Sequence, residues 1–514
     1  MMEQFGFYSK KAIRLFKNPK HVGEIKNADG IGQEGNPVCL LPEEKVLKNS
    51  ECVKIHELKE DEKVLTHSGN YEKIIATSSR NHSGKIITLK NKLGKINLTP
   101  EHLVYAISVP KKTKFLRNKN KRKLTPAWYH AVELKKGDIA IYPILKTKED
   151  MKYIRIDVSK PKWDFRSKEI PKKVPLNLSL LRLFGYFLSE GNVQNKPCKT
   201  FLSFTLNINE KKIVEDIKKI SKDLFGLDAK AKEKPERKTC AVFLYSAKLA
   251  RFFRELFGNG AQHKKIPEFI MNLPIEKQKA LIFGLWKGDG YVNLNRVAPR
   301  AGYTTISYQL AQQIKILLLR QGITPSIYED REREVNGVKH KKSYRIHIGQ
   351  RDSLKRLCEI LEMKYSPKSY ASVDSWFDEN YLYTPITDKK TSSYLGKVNN
   401  LEINNSHSFV SEAFCLHNCG DLMKVYIKVG KNKKGKEVIK DIKYQTYGCL
   451  AAISASESLC ILAKGKTLEE GKKITSKDIA DYLGKVPPIK FHCSILGMET
   501  LRKAIDDYLS KKKT

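Results

Sequence analysis

A chain of 514 residues is long for one hydrophobic core and predicts several domains. It has no apolar run near the ~20 residues of a membrane helix and no signal core in MMEQFGFYSKKAIRLF, so no membrane partner and a cytoplasmic location are expected, with ten cysteines that read as metal ligands or catalysts rather than disulfides. A formal charge of +40 points to a nucleic-acid partner, a lysine-rich, salt- or heat-adapted surface being the alternative.

In chain order, residues 1–38 give an amphipathic turn or two (Ala12, Ile13, Leu15, Phe16) and then a glycine-rich stretch through Gly35. The text changes at CLLPEEKVL. To about residue 145, short β-branched strands alternate with turns, as in EKIIATSS, GKIITLKN and GDIAIYPI. Residues 175–375 are mixed helix and strand, and short β-like pieces return over 376–418, ending SFVSEAFCLHN. After Cys419 the earlier style resumes with CGDLMKVYIKV, a lysine–glycine hairpin and YQTYGCLAAISASESLCILAKG. Removing 39–418 leaves GNPV–CGDLMKVYIKV, a Gly-Pro turn entering an alternating strand. The stretch 39–418 thus reads as an insertion in a host made of 1–38 and 419–514, together the size of one ordinary domain. Charge does not separate the two: the host carries 26 Lys/Arg against 15 Asp/Glu and the insertion 70 against 41, about equal per residue.

The edges of the insertion hold reactive groups. Excision with ligation needs a nucleophile at the first inserted residue, a cyclising amide at the last and a nucleophile just after it; Cys39, Asn418 and Cys419 occupy those places. TPEH supplies a hydroxyl and an imidazole, Thr99 and His102, for proton transfer at the first bond. A single cysteine is more often a small buried hydrophobe, and a lone T-x-x-H is more often a loop. Their joint occurrence at the edges of a removable segment resembles the intein (Hint-fold) family, with CLLPEEKVL, LTPEHLVYAI and VNNLEINNSHSFVSEAFCLHNC as its blocks. The resemblance implies an all-β splicing domain split over 39–150 and 376–418. It also implies a thioester on Cys39 assisted by Thr99 and His102, exchange to Cys419, cyclisation of Asn418 helped by His417, and a late role for His407. The chain departs from the family at Asn400, where an aspartate is usual.

Within the insertion, LFGYFLSEG (183–191) and IFGLWKGDG (282–290) repeat, with Glu190 and Asp289 at matching places. Glycine at the third place lets two such helices pack closely and brings the acids together, a pair suited to Mg²⁺ and phosphodiester cleavage. The alternative is two core helices ending at glycine caps. The repeat resembles the LAGLIDADG homing endonucleases, an α+β pseudo-two-fold domain over 175–375. It implies Glu190 and Asp289 as metal ligands, double-stranded DNA as partner, and Lys264 (rather than Lys265) of HKKIPEFI as catalytic lysine. The basic stretch 329–345 is a candidate phosphate-contacting arm or a solvated hairpin.

In the host, Cys419 and Asp421 flank a glycine, Cys449 follows Gly448 at a strand-to-helix junction, and Cys493 follows His492 at a helix start. Such thiols suit soft metal, while Cys460, on an apolar helix face, suits the core; a structural zinc site is the alternative. The host resembles, over nearly all of its two segments, the U-type iron–sulfur scaffolds (the IscU/NifU family), with a small antiparallel sheet and helices. That implies a transient [2Fe–2S] cluster on Cys419, Cys449 and Cys493, completed by Asp421 or His492, with zinc in the apo form. It further implies a cysteine desulfurase or other sulfur donor and apo iron–sulfur client proteins. The family's L-P-P-V-K reads Val486-Pro487-Pro488-Ile489-Lys490, which counts against a dedicated Hsp70 chaperone. The expected protein is therefore multidomain, an α+β host split by a splicing domain that carries an endonuclease. The competing reading is an unspliced DNA-binding nuclease with a zinc-binding tail.

Overall fold

The computed structural model describes residues 9–34, 38–110, 124–159, 168–196, 199–295, 297–335, 337–366, 374–417, 422–447, 450–484 and 492–512. The chain divides into two compact units. One comprises 1–40, 98–103 and 418–514, the other 41–97 and 104–417.

In the first unit, strand Gly30–Glu34 pairs antiparallel with Leu422–Lys431 (Gly30↔Ile427 to Glu34↔Met423), which pairs in turn with Glu437–Tyr447. The glycines of the first strand have a steric cause: a Cβ on Gly32 would stand 2.0 Å from the Thr500 carbonyl oxygen, and one on Gly30 2.2 Å from that of Ala504. The strand runs against the backbone of helix His492–Lys511, where only glycine fits. Reading this stretch as merely glycine-rich misses a strand, because its pattern carries packing rather than β propensity. Helix Lys10–Lys17 begins at Ser9, whose Oγ accepts the Ala12 N–H. The core joins Ala12 to Met423, Val425, Ile427, Tyr444, Ala455, Leu459, Cys460 and Leu501. Polar contacts reinforce it: buried Glu457 accepts the His21 N–H at 3.0 Å and meets its Nδ1 at 2.8 Å, and Ser454 Oγ donates to the Ala12 carbonyl.

The second unit has a β part and an α+β part. In the β part, Tyr71–Asn91 and Asp388–Ile403 form one long antiparallel ladder from Asp388↔Lys90 to Ile403↔Ile74. A second sheet aligns Trp376–Phe377, Tyr381–Pro385, Ile139–Pro143, Leu103–Ile107, Cys415–His417 and Ser408–Val410 in that order. The closing strand Cys415–His417 thereby lies beside the strand that leaves the Thr99–His102 turn (Leu416↔Val104).

The α+β part is a repeat. Helix Leu178–Glu190 leads into a sheet ordered 191–196, 199–207, 239–244, 230–234; helix Ile275–Gly288 leads into one ordered 290–293, 300–305, 343–348, 326–330. The spatial order is the same in both. The second half adds the hairpin Arg333–Val335/Val338–His340, exposed at Arg333, Glu334, Lys339 and His340 and lying within the basic 329–345 stretch. The two lead helices cross at their glycines: a Cβ on Gly185 would come within 2.7 Å of Gly284 Cα, and one on Gly284 within 2.3 Å of the Arg182 carbonyl oxygen. Close backbone approach is what carries the apolar helix ends, and the acids they bear, to the same place.

Candidate functional site

The first group surrounds Cys39, which is 2% exposed. The N–H of Cys39, the nitrogen of the Val38–Cys39 peptide, donates to Thr99 Oγ1 at 3.1 Å. The Cys39 carbonyl accepts the Thr99 N–H at 3.0 Å and faces His102 Nδ1 at 3.3 Å. A carbonyl only accepts, which puts the ring hydrogen on Nδ1 and the basic lone pair on Nε2. Thr99 and His102 are fully buried, and burial lowers the imidazole to about 4, so His102 is neutral at working pH. The tight Thr99–His102 turn (His102 N–H to Thr99 carbonyl, 3.0 Å) is what presents both side chains to one peptide.

The second group lies at the closing strand. His417 is buried, its ring edge-on to Trp128 at 4.9 Å, and His67 joins the same aromatic cluster (5.8 Å to Trp128) while its Nδ1 meets Ser408 Oγ at 2.7 Å. Ser408 is paired with His417 across the hairpin. His67 and Trp128 escaped sequence reasoning, since neither lies in a block with reactive spacing; the one hint was a histidine in a chain that has only 12. His407 adopts a left-handed backbone (φ 48°) with its Nδ1 3.4 Å from Glu402 Oε1. Asn418 and Cys419 lie outside the described residues.

The third group is the acid pair. Glu190 ends its helix and Asp289 caps the other. Burial, then the Asp289 charge, then Glu210 raise Glu190 to about 7; burial, opposed by Lys264 and reinforced by Glu210, raises Asp289. Lys264 Nζ donates to the Ser189 carbonyl at 2.9 Å, and burial lowers it to about 8 against the pull of both acids. Lys265 instead pairs with Glu51 at 3.0 Å. Two desolvated carboxylates with raised pKa values, and one lysine beside them, form an oxygen donor set short of positive charge, which fits a hard divalent cation. Among the described residues no cluster of three or more His, Cys, Asp or Glu side chains could hold a metal ion.

In the first unit, Cys493 stands at the start of its helix, but it is fully buried in the hydrophobic cluster, as is Cys460. Cys419, Asp421, Cys449 and the V-P-P-I-K segment lie outside the described residues, and the His492 side chain is not described.

The family described as NifU-like N terminal domain matches residues 398–514, and the family described as LAGLIDADG-like domain matches 177–258 and 276–362. The chain thus carries a NifU-like domain at its C-terminal end and a LAGLIDADG-like domain in its middle. The first match starts at residue 398, ahead of Asn418; by strand pairing residues 398–417 belong to the second unit, and pairing is the firmer guide to that boundary. The LAGLIDADG match skips 259–275, where Lys264 lies. Among curated proteins, an uncharacterized protein of Methanocaldococcus jannaschii is 30% identical over 76% of this chain and 51% of its own length. The ATP-dependent DNA helicase Hel308 of Thermococcus kodakarensis is 27% identical over 74% and 36%. The iron-sulfur cluster assembly scaffold protein IscU 1 of Archaeoglobus fulgidus is 52% identical over 18% and 58%. The chain spans from about a third to somewhat over half the length of these relatives. Among solved structures, the homing endonuclease I-DmoI in complex with DNA and Mn covers 37% of this chain and all of its own, at 18% identity and TM-score 0.28. The N-terminal LAGLIDADG domain of DUF199/WhiA covers 37% and 84%, at 9% identity and TM-score 0.26.

Proposed function

We propose that this chain is a precursor that excises residues 39–418 and joins Val38 to Cys419, giving an iron–sulfur cluster assembly scaffold and a free, site-specific DNA endonuclease. The observation that carries the proposal is that the two segments flanking the insertion form one unit with a shared ladder and a shared core. From Glu34 to Val38 is four residues, and from Met423 back to Cys419 is four, so the two ends are equally far in sequence from the last ladder pair. Joining Val38 to Cys419 would make these two antiparallel strands, Gly30–Glu34 and Leu422–Lys431, near neighbours in sequence.

The relatives support the same division. A DNA helicase that aligns over 74% of this chain must align mainly with the insertion, since 1–38 and 419–514 make up far less of the chain than that. The iron–sulfur scaffold aligns over 18% at much higher identity. A segment shared between otherwise unrelated hosts is what a self-removing insertion produces.

Cys39 sulfur attacks the Val38 carbonyl; the C–N bond breaks and the nitrogen takes a proton, leaving a thioester. Thr99 holds the N–H of that amide, and neutral His102 is the proton carrier beside it. Cys419 sulfur then displaces Cys39 from the acyl carbon. The Asn418 side-chain nitrogen attacks its own carbonyl, forming a succinimide and freeing the Cys419 amine, with His417 and His407 assisting. The acyl group passes from sulfur to that amine, giving an ordinary peptide.

In the freed insertion, Glu190 and Asp289 would hold Mg²⁺, which supplies Lewis-acid activation at the scissile phosphate. Lys264 would stabilise phosphate charge, and the exposed lysines of strand Lys230–Lys234 suit DNA phosphates. In the host, Cys419, Cys449 and Cys493, with Asp421 or His492, would take the cluster as cargo from a sulfur donor and pass it to apo clients.

Intact-mass spectrometry of freshly expressed chain beside Asn418→Ala tests this. Two products are expected from the parent, one with the mass of 39–418 and one with the mass of 1–38 joined to 419–514, and neither from the variant. A single 514-residue species that persists on warming overturns the splicing reading.

A further inference from the structure

Lys315 lies in helix Tyr308–Arg320 of the α+β part, yet its ammonium serves the β part. The side chain is fully buried. Its Nζ donates to Gln312 Oε1 at 2.6 Å and to the carbonyl of Glu412 at 2.5 Å, and it sits 5.4 Å from the ring centre of Tyr142. A buried cation on two neutral acceptors is costly, and burial lowers it to about 8. Nothing in cation binding or DNA cleavage by the Glu190–Asp289 pair uses it.

Its acceptor lies in the turn Ser411–Phe414, which feeds the closing strand Cys415–His417. Within the turn, Ser411 N–H donates to the Phe414 carbonyl at 2.8 Å, and Ser411 Oγ accepts the Phe414 N–H at 3.0 Å. From outside, three successive carbonyls are held: Ser411 by Tyr142 Oη at 3.3 Å, Glu412 by Lys315, and Ala413 by Asn91 Nδ2 at 2.7 Å. Two of these donors belong to the β part and the charged one comes from the endonuclease-like repeat.

We infer that Lys315 is a positioning residue for the last step of excision: through the Glu412 carbonyl it fixes the turn that leads to His417, the residue proposed to assist cyclisation. This rests on the splicing reading. It follows that the endonuclease-like domain is built into the splicing domain rather than appended to it. A charge-assisted hydrogen bond is stronger than the neutral ones beside it, so its removal loosens the turn most.

The same helix supplies an internal control. Gln309 also reaches the β part, accepting the Cys52 N–H at 3.1 Å and donating to the Ser50 carbonyl at 3.2 Å, and both of these partners lie outside the closing turn.

The experiment uses the full-length chain in two backgrounds. In Cys39→Ala, release of residues 419–514 reports Asn418 cyclisation alone. In Asn418→Ala/Cys419→Ala, where neither cyclisation nor exchange can follow, thiol-induced release of residues 1–38 reports the first thioester alone. Lys315→Met is expected to slow the first of these by tenfold or more and to leave the second within about twofold, while Gln309→Ala changes neither. Unchanged cyclisation in Lys315→Met overturns the inference, and so does an equal fall in both steps, which would make Lys315 a general support of the fold. Loss of cyclisation in Gln309→Ala to the same extent also overturns it. A parent chain that releases neither piece overturns the splicing reading itself, and the inference with it.

Discussion

Single residues decide which charge states the sites can use. Glu190 has its carboxyl raised to about 7 by burial and by Asp289, against 4.5 in an unfolded chain. A group with a raised folded value contributes stability that is fully present below the unfolded pKa and is lost as pH rises through the folded one. The cation-free protein should therefore become less stable between pH 4.5 and 7 on account of this group. Glu190→Gln should remove that slope, raise the melting temperature at pH 8 and abolish DNA cleavage. Mg²⁺ must displace the proton, so its affinity should climb with pH up to about 7, as titration calorimetry would register. A melting temperature in Glu190→Gln at or below that of the parent at pH 8 would contradict the reading. His102 is the reverse case: burial holds it neutral down to about 4, which keeps an uncharged imidazole at the Cys39 carbonyl across the working range.

Elements decide how segments far apart in the chain are held in one unit. Five strand pairs, Gly30↔Ile427 to Glu34↔Met423, hold the flanking segments, and that strand can lie on helix His492–Lys511 only because Gly30 and Gly32 lack a Cβ. Gly32→Val should push the strand off the helix by forcing an atom 2.0 Å from the Thr500 carbonyl, and overpacking of this kind costs about 1–3 kcal/mol. The catalytic groups would survive, so the expected result is a shift from ligated host toward separately released ends on a mass spectrum. Unchanged ligation yield would mean that the ladder plays no part in bringing the ends together. The crossing of helices Leu178–Glu190 and Ile275–Gly288 uses the same device, glycine against backbone, to bring two acids together.

At the level of the whole molecule, the proposed splicing and cluster-assembly functions share a single sulfur, Cys419, as splicing nucleophile and then as cluster ligand. The scaffold should therefore load no iron–sulfur cluster until the insertion leaves. The excised piece, with 70 Lys/Arg against 41 Asp/Glu, should bind duplex DNA with an affinity that falls steeply as salt rises. With Mg²⁺ it should cut a duplex that carries the host coding sequence without the insertion and spare one that carries it. Equal cutting of both would remove the homing role and leave a nuclease without address.

Much of this was legible in the sequence because it is local or repetitive. Cys39, TPEH and H-N-C are short signals that can be read without knowing the fold, and the paired motifs at 183–191 and 282–290 announce a pseudo-two-fold domain by repeating. The proposed join at Val38–Cys419 rests on a strand pattern that reappears in the sequence when 39–418 is deleted. What only the tertiary structure decided are relations between distant segments. No pattern in 1–38 announces that its glycines lie on the helix that starts at His492, since the constraint comes from a partner at the other end of the chain. His67 and Trp128 reach His417 only through sheet order, and that Lys264 meets the Ser189 carbonyl while its neighbour Lys265 pairs with Glu51 follows from packing. Lys315 reads in sequence as one more lysine on a helix; that it is buried on the Glu412 carbonyl follows from how the repeat packs against the sheets, and packing is where sequence pattern stops carrying information.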